Sequence, residues 1–283
     1  LFFIIIRKYY LLKFISSNNI LINFTKMSIF TTEITSEKIT SDNPIHQRLF
    51  RAYVESVPFI RGDVLELGCG EGSGIYLINQ KAKTFTAVDK IDSVITKLKA
   101  KYPMNKYIKS SFPPLSIFDD NSFDTIISFQ VIEHIKNDKL FVKEIYRLLK
   151  KGGNALITTP NILMTLTRNP WHIREYTSKS LESIISDSFS DFKIKGIAGN
   201  EKVKTYYNAN KNSVQKFKNA DIFNLEKNLP SFLYKIPYEI LNRINRNKLE
   251  NKNDSLVSSI SEKDYYLNKD QKDNLDLFCI LKK

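Results

Sequence analysis

Two spacings of apolar residues organise this chain. Short runs of continuous apolar character mark buried strands: "DVLELGC" (63–69), "TFTAVDK" (84–90), "KYIKSSF" (106–112), "FDTIISFQ" (123–130) and "NALITTP" (154–160). Between them the apolar positions recur at helical spacing. "IHQRLFRAYVESV" (45–57), "SGIYLINQK" (73–81), "SVITKLKAKY" (93–102) and "NDKLFVKEIYRLLKKGG" (137–153) are predicted helices. Pro44 stands where it can open the first of these. The glycine pair Gly152 and Gly153 stops the last. "PPL" and "FDDNS" carry turn chemistry. "LESIISDSF" (181–189) is a further helix and "FKIKGIAG" (192–199) a sixth strand. "NLDLFCILKK" (274–283) is the final apolar strand.

Strands that alternate with helices in this way predict an α/β fold, with a largely parallel sheet covered on both faces. The pattern weakens over 200–273, a polar stretch rich in Asn and Lys. Two helical patterns are expected there, around 211–226 and 231–249, and residues 250–274 read as a mobile loop. This insert is either a helical pair closing the sheet edge or a lid that shapes a pocket. The expected domain runs from 28 to 283, with a core of 45–199 plus 274–283. No internal repeat is evident.

The first Met is Met27, and residues 1–27 are expected to be an extension outside the native fold or a disordered one. The stretch is apolar, but Arg7, Lys8 and Lys13 interrupt it, so it has no bilayer-spanning run of about 20 residues. A basic, apolar anchor on a membrane surface is the alternative. The net charge of +13 is spread among Asn, Ile and Lys. Without an Arg-rich stripe or a zinc-ligand cluster, it does not argue for specific nucleic-acid binding. No metal ligand set is read from the sequence. Two lone cysteines, Cys69 and Cys279, fit a reduced, cytoplasmic protein better than a disulfide framework.

Candidate chemistry begins at "VLELGCGEGSG" (64–74). Ligands of open parallel sheets bind at the carboxyl ends of the strands, and the first strand–turn–helix lies there. Glycines let a ligand approach the main chain. The dinucleotide fingerprint G-x-G-x-x-G fails at Ser73, and the glycines instead fall as Gly68, Gly70 and Gly72. Glu66 lies inside the preceding strand, where an unpartnered carboxylate is costly. Asp89 ends the second strand 21 residues after Gly68, at the same sheet edge. A carboxylate there can accept two hydrogen bonds from a ribose diol.

These residues resemble the first motif of the class I S-adenosylmethionine-dependent methyltransferases. "AVDK", "FDTIISFQVIEHI" and "LLKKGGNALITTPN" are similar to three further motifs in the family's order, the second of them as it stands in the small-molecule, type 11 branch. The likeness covers residues 63–161 and thins beyond 200. It implies a Rossmann-like sheet of seven strands in the order 3-2-1-4-5-7-6, the last antiparallel, with a helical insert before that strand. It also implies S-adenosyl-L-methionine as cofactor. The implied cofactor-binding residues are Glu66, Gly68, Cys69, Gly70, Gly72, Asp89, Lys90, Ser111, Phe112, Gln130 and Val131. The family often has an acid after the third strand to meet the adenine amino group, whereas "KSSFPP" stands there in this chain.

Methyl transfer from a sulfonium needs alignment and, for many acceptors, removal of a proton. His134 is either a structural residue at a helix start or a general base. The stretch "NPWHIREYT" (169–177) resembles a segment of bacterial methyltransferases in this branch. His172 is the first choice for a base, because its ordinary pKa lies near neutrality. Trp171, Arg174 and Tyr176 are candidate substrate contacts, or alternatively a loop latch in which Arg174 or Glu175 pairs across the cleft. The resulting expectation is a methyltransferase acting on a small-molecule or glycan-like acceptor, oxygen favoured. Its rivals are a binding module without catalysis, a nicotinamide-dependent oxidoreductase, and a nucleic-acid or protein methyltransferase. The strand-four loop has no Asn- or Asp-Pro-Pro-aromatic signature for the last of these.

Overall fold

The sheet is built as the apolar runs require. A computed structural model describes residues 39–221 and 225–283, which belong to the compact unit Thr35–Lys283. The expectations for residues 1–27 and for the lead-in up to 38 lie outside the described residues. The first five strands are β1 (Asp63–Leu67), β2 (Thr84–Asp89), β3 (Lys106–Lys109), β4 (Phe123–Phe129) and β5 (Leu149–Pro160). After these come β6 (Asp191–Gly199), β7 (Tyr265–Lys269) and β8 (Asp276–Lys282). Hydrogen bonding orders them β3-β2-β1-β4-β5-β8-β6-β7. The pairs from β3 through β5 are parallel. β8 runs antiparallel between β5 and β6.

The seven-strand order expected from the resemblance is present, with β7 added on the far edge of β6. Residues 250–274 are therefore not one loop. Tyr265 is buried and its hydroxyl donates to the Pro44 carbonyl at 2.6 Å, while the strand's remaining positions are polar or half-exposed, which suits a sheet edge.

Helices cover the sheet. They are α1 (Asn43–Ser56), α2 (Ile75–Asn79), α3 (Asp92–Lys101), α4 (Asp138–Leu148) and α5 (Ser178–Ile185). The insert adds α6 (Glu201–Ala220), α7 (Leu225–Asn228), α8 (Ser231–Lys252) and α9 (Asp254–Ser259). α6 starts about ten residues earlier than its apolar pattern suggests, because Asn200 caps it by accepting from the amides of Lys202 and Val203. β1 and β4 place Leu65, Leu67 and Ile126 in the main core with Phe141, Ile145 and Leu181 from the helices. Asp42, just before α1, ties the insert down. It is 1% exposed and accepts from Arg243 and Arg246 of α8, each at 2.9 Å. Among the described residues no helix is long and apolar enough to cross a membrane.

Candidate active site

The carboxyl ends of β1 and β2 meet at the glycine turn. Gly70 donates its amide to Asp89 Oδ2 at 3.1 Å, and Ile91 donates to Oδ1 at 2.9 Å. The bare main chain and the acid therefore face each other. A carboxylate has about four lone-pair sites, so two amides leave Asp89 able to accept more. The glycines divide the work. A Cβ on Gly68 would lie 2.4 Å from Val131 Cγ2, and one on Gly74 would lie 1.9 Å from the Tyr53 ring. These two are required by packing. Gly70, at φ +49°, has open space where its side chain would be. It is the position at which a ligand can touch the backbone.

Glu66 points from β1 beneath this turn and is 1% exposed. Tyr53 of α1 donates its hydroxyl to Oε1 at 2.7 Å, while Oε2 has no hydrogen-bond partner. Burial pushes its carboxyl up to about 8, against the lowering effect of the Tyr53 bond and with help from the nearby Asp89 charge. An orphaned, buried carboxylate oxygen beneath the glycine turn is suited to a cationic group. Tyr53 escaped the sequence reading, because within α1 it looks like one more apolar residue.

The other implied cofactor contacts surround the turn. Cys69 is buried, and burial pushes its thiol up; Lys90 is exposed. Ser110 donates its amide to the Asp89 carbonyl at 3.0 Å, which brings the end of β3 beside the acid. Ser111 is exposed there, and Phe112 stacks on Phe141 with centroids 5.8 Å apart. Gln130 adopts φ +57°, a left-handed conformation that non-glycine residues hold at some cost. Its amide donates to the Thr158 carbonyl at 2.9 Å.

A second cluster lies just beyond β4 and β5. Glu133 is fully buried; Thr159 donates to its Oε2 at 3.0 Å, and Oε1 has no partner. Burial pushes its carboxyl up to about 8, with Asp276 and Glu175 adding to the rise. His134 places Nδ1 3.0 Å from the Trp171 carbonyl. His172 places Nδ1 2.7 Å from Glu175 Oε1, and Asn169 Nδ2 lies 2.8 Å from its Nε2. The two imidazoles meet edge to face at 4.9 Å. The structure thus joins residues 38 positions apart, a set no sequence spacing announces.

The other predicted contacts hold the loop in place. Tyr176 is 1% exposed and donates to Asp138 Oδ2 at 2.9 Å, and Arg174 pairs with the same carboxylate at 2.5 Å. Tyr176 is a packed core residue here, not a wall open to ligand. Trp171 donates its indole N–H to Glu239 at 2.8 Å, with Lys235 Nζ 3.5 Å from the ring centroid. Arg168 donates to the Leu229 carbonyl at 2.9 Å. The loop and α8 are therefore fastened together beside the site. Also missed in the sequence was Asp276, buried at the start of β8 and paired with Arg48 of α1 at 3.0 Å.

Residues 65–157 match the family model described as a methyltransferase domain. A Mycobacterium tuberculosis protein named a probable S-adenosylmethionine-dependent methyltransferase is 33% identical over 165 residues, 55% of this chain and 60% of that protein. The chain thus spans about three-fifths of that relative's length. A ubiquinone biosynthesis O-methyltransferase of Rickettsia bellii is 30% identical over 35% of this chain and 42% of its own. A SAM-dependent methyltransferase from Thermotoga maritima superposes with a TM-score of 0.51 at 15% identity, covering 84% of this chain and 91% of that one, a likeness of fold. Residues 65–157 thus match a methyltransferase domain, and the relative that shares this stretch is named an S-adenosylmethionine-dependent methyltransferase.

Proposed function

We propose that this protein transfers the methyl group of S-adenosylmethionine to an oxygen of a small-molecule or glycan-like acceptor. The observation that carries the reading is the Gly70–Asp89 contact above a buried Glu66. Asp89 would hold the ribose hydroxyls and the open side of Gly70 would meet the nucleoside. The unpartnered oxygen of Glu66 would face the cationic methionine end, directly or through water. When bound, the cofactor supplies an electrophilic methyl on a sulfonium.

The chain's own part is orientation and the acceptor's proton. His172, held by Glu175, and His134, held by the Trp171 carbonyl, are the side chains suited to that end of the site. Oxygen as the acceptor atom draws support from this polar cluster and from the name of the Rickettsia relative. Arg48, Asp276 and Gln130 border the same sheet edge and would contribute to acceptor choice. The unpaired, buried cysteines suit a reducing compartment.

Titration of the purified protein with S-adenosylmethionine, S-adenosylhomocysteine and NAD tests the cofactor reading. The first two should bind in the micromolar range and NAD should not. Asp89→Ala should weaken them by about 1.5–3 kcal/mol, roughly ten- to a hundred-fold. Binding of NAD alone, or an Asp89→Ala variant with unchanged affinity, would overturn the assignment.

A further inference from the structure

We propose that Glu133, His134 and His172 form a binding site for one divalent transition-metal ion. One ligand atom from each of the three lies within 4.8 Å of the others. Two imidazoles and one carboxylate make a donor set for borderline cations such as Zn2+ or Fe2+, less apt for Mg2+ or Ca2+, which prefer oxygen alone.

Two independent observations carry this beyond proximity. The first is the orphaned Oε1 of Glu133 on a fully buried side chain. A buried carboxylate oxygen without a partner is costly, and a cation removes the cost. The second is the fixed tautomer of each ring. The Trp171 carbonyl can only accept, so Nδ1 of His134 carries the proton and Nε2 carries the lone pair. His172 is set in the same way, with Nδ1 donating to Glu175 and Nε2 accepting from the Asn169 amide. Metal-ligating histidines are oriented by such a second partner, a carboxylate or a carbonyl.

Metal–ligand distances near 2.1 Å would require the three donors to draw together by about 1 Å and the ion to replace the Asn169 contact. Any contact of the ion with an acceptor oxygen rests on the methyl-transfer reading, whereas the binding itself does not.

The full chain, stripped with a chelator, is titrated with ZnCl2 by calorimetry, and with CoCl2 while the visible spectrum is recorded. One equivalent should bind, with cobalt bands of nitrogen and oxygen ligation. The chain has only three histidines and its two thiols are buried, so few other groups compete. His134→Ala and His172→Ala should each weaken binding more than tenfold. Glu175→Gln, which leaves all three ligands in place, should weaken it about tenfold. His46→Ala should leave it unchanged. No binding below about 100 µM in the natural chain, or binding indifferent to both His134→Ala and His172→Ala, overturns the proposal. S-adenosylmethionine titrated into the same stripped samples reports on the cofactor reading separately.

Discussion

Replacing Glu66 by Gln should make the ligand-free protein more stable, and increasingly so as the pH rises. The carboxyl is buried, accepts one hydrogen bond from Tyr53 and leaves one oxygen unpartnered. Its folded-state pKa of about 8 lies above the ordinary value of 4.5, so its neutral form is the one the fold tolerates. The stability tied to that form is complete below about pH 4.5 and is lost as pH rises through about 8. At about pH 6 the resulting penalty is roughly 2 kcal/mol, and at about pH 9 it approaches 5 kcal/mol. Gln keeps an acceptor for Tyr53 and never ionises, so it avoids this loss. The stability gap between variant and natural chain should widen by about 2.5 kcal/mol across that pH range. For a domain of this size that is roughly 5–10 °C in Tm. Thermal denaturation of both proteins at several pH values measures it. S-adenosylmethionine should bind the variant more weakly, because the neutral amide cannot meet a cation as a carboxylate does. Parallel stability-versus-pH curves for the two proteins would refute the reasoning.

The glycines of the turn should separate under substitution. Gly70→Ala places its methyl in open space at φ +49°, so it should cost the fold only about 1–2 kcal/mol while lowering S-adenosylmethionine affinity at least about tenfold. Gly74→Ala drives a Cβ into the Tyr53 ring and should destabilise the fold by about 3 kcal/mol, read by urea denaturation. Asp42→Ala strips the partner from Arg246, which is only 8% exposed, and should cost about 3–5 kcal/mol in the same assay.

The glycine-turn half of the proposed site is legible in the sequence because its chemistry is local. A strand that must be buried, a turn without side chains and an acid at the next strand's end are all visible in one short stretch. The other half is assembled across the chain. Tyr53 meets Glu66 from a helix whose pattern registers only burial. Asp276 reaches Arg48, and His134 reaches His172, through sheet order alone. β7 was missed for a different reason. An edge strand needs one buried anchor, Tyr265, and the exposed or half-exposed residues that follow it look like loop. The early start of α6 likewise rests on one capping side chain, Asn200, and not on an apolar repeat.

The position of β8 has a consequence for how the chain acquires its structure. It follows both of its neighbours in sequence and so leaves the ribosome after them, yet it fills the gap between β5 and β6. Until it arrives, two strand flanks in the middle of the molecule stay open to pairing with other chains. Lys283 then fastens the newcomer, exchanging main-chain hydrogen bonds with Gly152 and Gly153. Nascent chains stalled before residue 276 should therefore be the species that clump in cells.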